Sequence, residues 1–144
     1  ILNLNPIYLR KQVGYVTQDT YLFNTSIRFN LTMSENNSLD KKLIELIEKF
    51  NLKSIFENEI IDLDKEIIDG GANISGGQKQ RLLIIRELLK NPKLMIFDEG
   101  LSSLENQNKI EVLKNIRDLY PELTILNFTH DQFFKEISDT VVEL

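Results

Sequence analysis

Apolar and polar residues along this chain fall into blocks with two different periods. From residue 39, Leu39, Leu43, Leu46, Ile47 and Phe50 recur at helical spacing, with Asp40, Lys41, Lys42, Glu45, Glu48 and Lys49 on the other faces. The pattern predicts an amphipathic helix whose stripe is core, capped by Ser38, with a shorter helical piece over Leu52 to Phe56. Before it, Val13 to Thr17 is a short β-type run closing on Gln18, followed by a loop and a helix start at Ile27 to Leu31. Ser34 to Asn37 is a polar linker with turn chemistry. The segment from Glu57 to Asp69 is acidic and mixed in pattern, and Gly70-Gly71 ends it. The apolar run Leu82 to Leu89 predicts a helix, which Asn91-Pro92 stops, because proline restricts its predecessor and cannot donate to the helix ladder. Leu94 to Phe97 is unbroken and apolar, as in a parallel strand buried on both faces. A helix follows with Ile110, Leu113, Ile116 and Leu119 facing inward and Tyr120-Pro121 ending it. Leu123 to Phe128 predicts a further strand, Phe133, Phe134 and Ile137 a short helix, and Thr140 to Leu144 one more strand. Such alternation indicates an α/β core with parallel strands, without internal repeats.

Composition narrows the classes. The 144 residues suffice for one domain with a real core, and 42% apolar and 27% charged residues are ordinary for a globular chain. A net charge of −5 gives no general basic surface, which argues against nucleic acid as the main partner. No cysteine and a single histidine exclude a disulfide framework and a multi-His zinc centre. No apolar stretch approaches the ~20 residues that span a bilayer. No basic leader precedes an apolar segment, so no signal peptide is expected.

Three places carry candidate chemistry. In Ile74-Ser75-Gly76-Gly77-Gln78, Ser75 can cap a helix and Gln78 can reach back to the cap's N–H, a capping box. The two glycines leave the first-turn amides unshielded, at the positive end of the helix dipole, where a phosphate can approach. Taken alone, the four residues Ser-Gly-Gly-Gln read equally well as an ordinary capped helix. Asp98-Glu99 ends the Leu94 strand, where open α/β sheets place their ligands, although a lone acidic pair is also a common surface feature. His130 closes the next strand; a lone His is more often structural.

Together, the glycine-headed helix, the strand and the acidic pair resemble the signature and Walker B region of ATP-binding-cassette (ABC) ATPases. The likeness runs on through Arg86, Leu88, Leu89, Asn91 and Pro92. The family signature is Leu-Ser-Gly-Gly-Gln, and Ile74 stands in for its leading Leu. Val16-Thr17-Gln18 with Leu22-Phe23 and Thr25-Ser26-Ile27-Arg28 resembles the Q-loop of the exporter group. The resemblance implies a partial P-loop NTPase core with an inserted α-helical subdomain. Residues 1–24 would hold the Q-loop part of the core, 25–81 the subdomain ending in the signature, and 82–144 the core with Walker B, D-loop and H-loop.

The same resemblance implies roles. Asp98 would hold Mg²⁺, with Gln18 offering an amide oxygen to the metal and the attacking water. Glu99 would polarise that water, and His130 would bond the γ-phosphate. Ser75, Gly76, Gly77 and Gln78 would act in trans, covering ATP held by a second, head-to-tail nucleotide-binding domain. Ser102, Ser103 and Glu105 would lie at that dimer interface. Lys79 and Arg81 carry no catalytic role. The cofactors implied are ATP and Mg²⁺, with no other metal. The partners implied are the second nucleotide-binding domain and a transmembrane domain, docked on the helical subdomain and Q-loop at the cytoplasmic face of the cell membrane.

The chain also departs from the family. Gly100-Leu101 replace the usual (Ala/Pro)-(Thr/Phe), Ser103 stands for Ala and Glu105 for Asp. No Gly-x-x-x-x-Gly-Lys-(Ser/Thr) occurs in the sequence. In the family that phosphate loop precedes the Q-loop, and this chain starts at Ile1 without Met. The expectation is therefore a soluble C-terminal portion of an exporter's nucleotide-binding domain, which alone binds ATP poorly and does not hydrolyse it. Two other readings share these motifs. One is the head of a chromosome-maintenance or DNA-repair ATPase, but no heptad run lies between Gln18 and Ser75. The other is a non-hydrolysing, ATP-dependent dimerisation half, against which Glu99 and His130 argue.

Overall fold

The computed structural model describes residues 6–19 and 21–142. Three short parallel strands form one sheet in the order β1 (Val13–Thr17), β2 (Leu94–Asp98), β3 (Thr124–Phe128). Their register aligns Thr17 with Asp98 and Asp98 with Phe128, so all three chains leave the sheet along one edge. The helices are α1 (Pro6–Gln12), α2 (Ile27–Thr32), α3 (Asp40–Lys49), α4 (Gly76–Leu88), α5 (Asn106–Leu119) and α6 (Phe133–Ile137), with short 3-10 turns between α2 and α4. Segments 18–93 and 99–123 therefore carry the two crossovers that parallel pairing requires.

The central element is α4. Leu82, Leu83, Ile84, Ile85 and Leu88 are all buried, which makes this helix apolar most of the way round; such a helix is enclosed. It packs against α2, α3 and β1. Each fully buried Leu or Ile there contributes about 1.5–3 kcal/mol. The helix ends at Leu88, ahead of the expected stop at Asn91-Pro92, and Asn91 takes a left-handed φ of 52°, not the extended conformation that proline favours in its predecessor.

Several expectations about faces and caps are corrected. The β2 strand is packed on one face, not two: Met95 and Phe97 are buried, while Leu94 and Ile96 are half-buried. The reason is that α4 lies on the Gly14 side of the sheet, where a Cβ at Gly14 would sit 3.3 Å from Glu87 Cβ. On the other face Tyr15, Leu126 and Phe128 stay exposed. Ser38 is not the cap of α3: it sits inside a 3-10 turn, Asn37–Leu39, which Asn36 caps by accepting from the Ser38 N–H, and α3 itself starts after Leu39 with no side-chain cap bond. Leu39 consequently lies ahead of α3 and is exposed, whereas Leu43, Leu46, Ile47 and Phe50 enter the core. On α5, Ile110 is exposed and Val112 takes its expected place inside beside Ile116. Residues 140–142 are not strand, and the end of that predicted strand, 143–144, lies outside the described residues, as do 1–5 and 20.

Candidate functional site

The strand edge gathers the sequence-predicted residues in three groups. Gln18 leaves β1, Asp98-Glu99 ends β2, and Thr129-His130 follows β3. Glu99 has φ 51°, a left-handed conformation that costs a non-glycine residue about 1–3 kcal/mol and persists only where its surroundings fix it. They do so here. Its N–H donates to Phe128 O at 2.9 Å, and its backbone bridges Thr17. Its carboxylate then turns to the β3 side: Oε1 accepts from the His130 N–H at 2.9 Å and Oε2 from Thr129 Oγ1 at 3.2 Å.

The turn carrying His130 is fastened from its other side too. The Asp131 N–H donates to Thr129 Oγ1 at 3.1 Å, and Asp131 Oδ2 accepts from Lys109 Nζ at 2.5 Å. Lys109 is buried on α5 and lies over the rings of Phe133 and Phe134. Its ammonium holds the Asp131 carboxyl below the usual carboxylate range. His130 is thereby presented, exposed, between two fixed neighbours. Thr129 and Lys109 were not singled out from the sequence; only their long-range partners reveal them.

Asp98 points to the opposite face of the sheet, where Tyr15 Oη donates to its Oδ2 at 2.7 Å. That bond, and the carboxylate charge, push the Tyr15 phenol above its ordinary value. Among the described residues, no group of three His, Asp or Glu is placed to hold a metal ion. Mg²⁺ does not need one, since it keeps several waters and takes one or two carboxylates plus substrate phosphates. Asp98 with Oδ1 left over, and the Gln18 amide one residue beyond its register partner, are a donor set of that kind.

At the head of α4 the capping box forms as the sequence predicts: Ser75 Oγ accepts from the Gln78 N–H at 3.2 Å, and Gln78 Oε1 from the Ser75 N–H at 2.8 Å. Gln78 Nε2 also donates to Ser54 Oγ at 3.1 Å, which ties the cap to the segment before it. Ser75 and Gly76 are exposed. A Cβ on Gly77 would come within 3.1 Å of Leu104 Cδ2, so this glycine also permits the close packing of the loop after β2. Gly76, Lys79, Gln80 and Ser103 line a groove of about 390 Å³ with Thr17, Gln18, Asp19 and Tyr21 opposite. The groove brings Gln18 and the glycine-headed helix together; Asp98, Glu99 and His130 do not line it. The Arg81 guanidinium donates to the Phe50 and Asn51 carbonyls, which ties α4 to the end of α3.

Ser102, Ser103 and Glu105 are exposed, and Glu105 opens α5 without a side-chain cap bond. The residues that depart from the family pattern have a physical reason nearby. Leu101 is buried in the core, and a Cβ at Gly100 would lie 2.5 Å from Val16 O. Gly100→Ala is therefore expected to destabilise the protein by about 1–3 kcal/mol, as overpacking does. Urea unfolding would show it as a lower midpoint at constant slope; an unchanged midpoint would mean the β1 end yields freely.

Parallel strands with carboxylates at their C-terminal edge, crossed by helices, define an α/β unit of the P-loop NTPase-like kind. Comparison with known proteins names the family. A family model described as ABC transporter matches residues 4–102, and the chain belongs to that family. It is 36% identical, over 99% of its length, to the Microcin-J25 export ATP-binding/permease protein of Escherichia coli, of which it covers 24%. It is 40% identical, over 76% of its length, to the mitochondrial iron-sulfur clusters transporter of Saccharomyces cerevisiae, of which it covers 16%. Among solved structures, a bacterial Atm1-family ABC exporter with ATP bound superposes with a TM-score of 0.79 at 26% identity, covering 97% of this chain and 24% of that one. The chain thus spans between about a sixth and a quarter of these relatives' length. Among the described residues, no helix is long and apolar enough to cross a membrane.

Proposed function

We propose that this chain is the part of an exporter-type nucleotide-binding domain that carries the Q-loop, signature, Walker B and H-loop, and that the protein couples ATP hydrolysis to solute export across a membrane. The observation that carries the reading is the Glu99 carboxylate held against the Thr129–His130 backbone. A general base needs a fixed position beside the water it activates, and hydrolysis of a phosphate depends more on positioning and electrostatics than on covalent chemistry. Glu99 takes the proton of the attacking water. His130 donates to the γ-phosphate from the same turn, and Gln18 orients the water with its amide oxygen. Asp98 is the metal-holding carboxylate; the chemistry a bound Mg²⁺ supplies is neutralisation of charge on the phosphate oxygens. The first-turn N–H groups of Gly76 and Gly77, with Ser75 and Gln78 fixing the turn through their capping box, stabilise negative charge on ATP held by a second copy or homologous domain. Ser102, Ser103 and Glu105 lie along that contact.

Segment 25–81 with the loop after Gln18 forms the surface for the transmembrane partner, and α4 is shared between this segment and the 82–144 core. The names of the relatives support export, and the ATP-bound exporter supports the nucleotide. The cytoplasmic face of the membrane is the location this reading assigns.

Because the sequence holds no Gly-x-x-x-x-Gly-Lys-(Ser/Thr), the chain by itself is expected to bind ATP weakly and to release no phosphate. Phosphate release by the purified chain, followed with and without Glu99→Gln, tests this. Robust turnover that the substitution abolishes would show that the chain holds a complete site and would overturn this part of the reading.

A further inference from the structure

Tyr15 is half-exposed in the middle of β1, on the sheet face opposite α4. Its register partner is Ile96, two residues before Asp98. Residues i and i+2 of a strand share a face, and strand side chains lean along the strand direction, so a long side chain at 15 reaches the carboxylate at 98. The Oη–Oδ2 distance of 2.7 Å lies at the upper end of the range of a charge-assisted O–H···O⁻ bond. The origin of that side chain is itself anchored. The Tyr15 N–H donates to Glu87 Oε2 at 3.1 Å, and Glu87 is buried on α4 with its other oxygen paired to Lys90. A chain of contacts therefore runs from the helix that begins at the signature, through Glu87 and Tyr15, to Asp98.

From this geometry we propose that Tyr15 is a positioning residue for the metal-holding carboxylate, fixing the plane of Asp98 so that Oδ1 is the oxygen offered to a divalent cation. The inference rests on the role given to Asp98 above. An aspartate at a strand end turns easily about χ2, whose torsional profile is broad. A bond to one of its oxygens removes that freedom before the cation arrives. Groups that orient a ligand in this way typically account for ten- to a hundredfold in metal affinity.

The test is Mn²⁺ binding, read by electron paramagnetic resonance in the complete protein with ATP present, for the unsubstituted protein, Tyr15→Phe and Asp98→Asn. Affinity for ATP without divalent cation is measured alongside. Tyr15→Phe removes one oxygen and keeps the ring, so the melting midpoint serves as the check on fold. The expected result is a roughly tenfold weaker Mn²⁺ affinity in Tyr15→Phe, with cation-free ATP affinity unchanged, which a merely structural role would not produce. If Asp98→Asn weakens Mn²⁺ but Tyr15→Phe leaves it unchanged or tightens it, the positioning role is overturned and the role of Asp98 stands. If Asp98→Asn leaves Mn²⁺ affinity unchanged, the role of Asp98 fails and that of Tyr15 falls with it.

Discussion

Glu99→Gln is expected to lower ATP turnover in the complete protein by about 10²- to 10⁴-fold, the usual contribution of a positioned general base, while ATP still binds. The substitution isolates the proton-accepting role because the local structure can survive it. The amide oxygen of Gln can still accept from the His130 N–H, now at 2.9 Å from Glu99 Oε1. Its amide nitrogen can donate to Thr129 Oγ1, since a hydroxyl is acceptor as well as donor. What disappears is the basicity. Phosphate release and equilibrium ATP binding, measured on the same preparation, separate the two. Turnover close to that of the unsubstituted protein would remove Glu99 from the role of base, and ATP binding lost together with turnover would assign it to ground-state affinity instead.

The parts of this site that could be read along the chain are those fixed by neighbours in sequence. The capping box at Ser75 and Gln78 is a contact across three residues, and both of its hydrogen bonds are present. The helix stop ahead of Asn91-Pro92 is likewise a property of adjacent residues. The faces were less legible, because burial is decided by what packs from afar. On α5 the apolar residues mark 110, 113, 116 and 119; Ile116 is buried and Leu113 and Leu119 pack partly buried against the core, yet Ile110 is exposed and Lys109, Val112 and Asn115 are buried instead. Two polar residues can turn inward there because each finds a partner: Lys109 meets Asp131, and Asn115 Nδ2 donates to Lys49 O at 2.7 Å. Read alone, a lysine and an asparagine mark the solvent side. Tyr15 is another case, an aromatic residue on a β-type run that reads as packing and ends in a hydrogen bond to Asp98, far along the chain. The Q-loop and H-loop readings came from resemblance. What the chain order could not supply was how the Tyr21–Phe23 stretch after Gln18 is tied to α4, which Arg86 does.

Arg86→Met is expected to cost about 2–3 kcal/mol, and Arg86→Lys most of that, because Asn30 O loses its donor away from solvent at about 1–3 kcal/mol, and the bonds to Asn30 Oδ1 and Tyr21 O go with it. From α4 the guanidinium donates through Nε to Asn30 O at 2.5 Å, through Nη1 to Tyr21 O at 3.2 Å and through Nη2 to Asn30 Oδ1 at 3.1 Å, and it lies 5.8 Å from the centre of the Phe23 ring. Asn30, fully buried on α2, is the other half of the clasp: its Oδ1 accepts from the Phe23 N–H at 2.8 Å, and its Nδ2 donates to Phe23 O at 2.9 Å and Ser26 O at 3.0 Å. Burial pulls the Arg86 pKa downward from its ordinary value, with the Glu87 charge opposing; a guanidinium nonetheless stays charged where a lysine would be far easier to neutralise. One ammonium on a flexible stem cannot meet three acceptors arranged for a planar fork, so lysine restores the charge but not the geometry. Without the fork, the loop from Tyr21 to Ser26 loses its fastening to the helix whose other end is the signature. Denaturant unfolding of both variants, with hydrogen exchange of the 21–31 amides as the local readout, checks the prediction. Arg86→Lys as stable and as protected as the unsubstituted protein would show that a point charge is enough, and that the link between the Gln18 loop and α4 lies elsewhere.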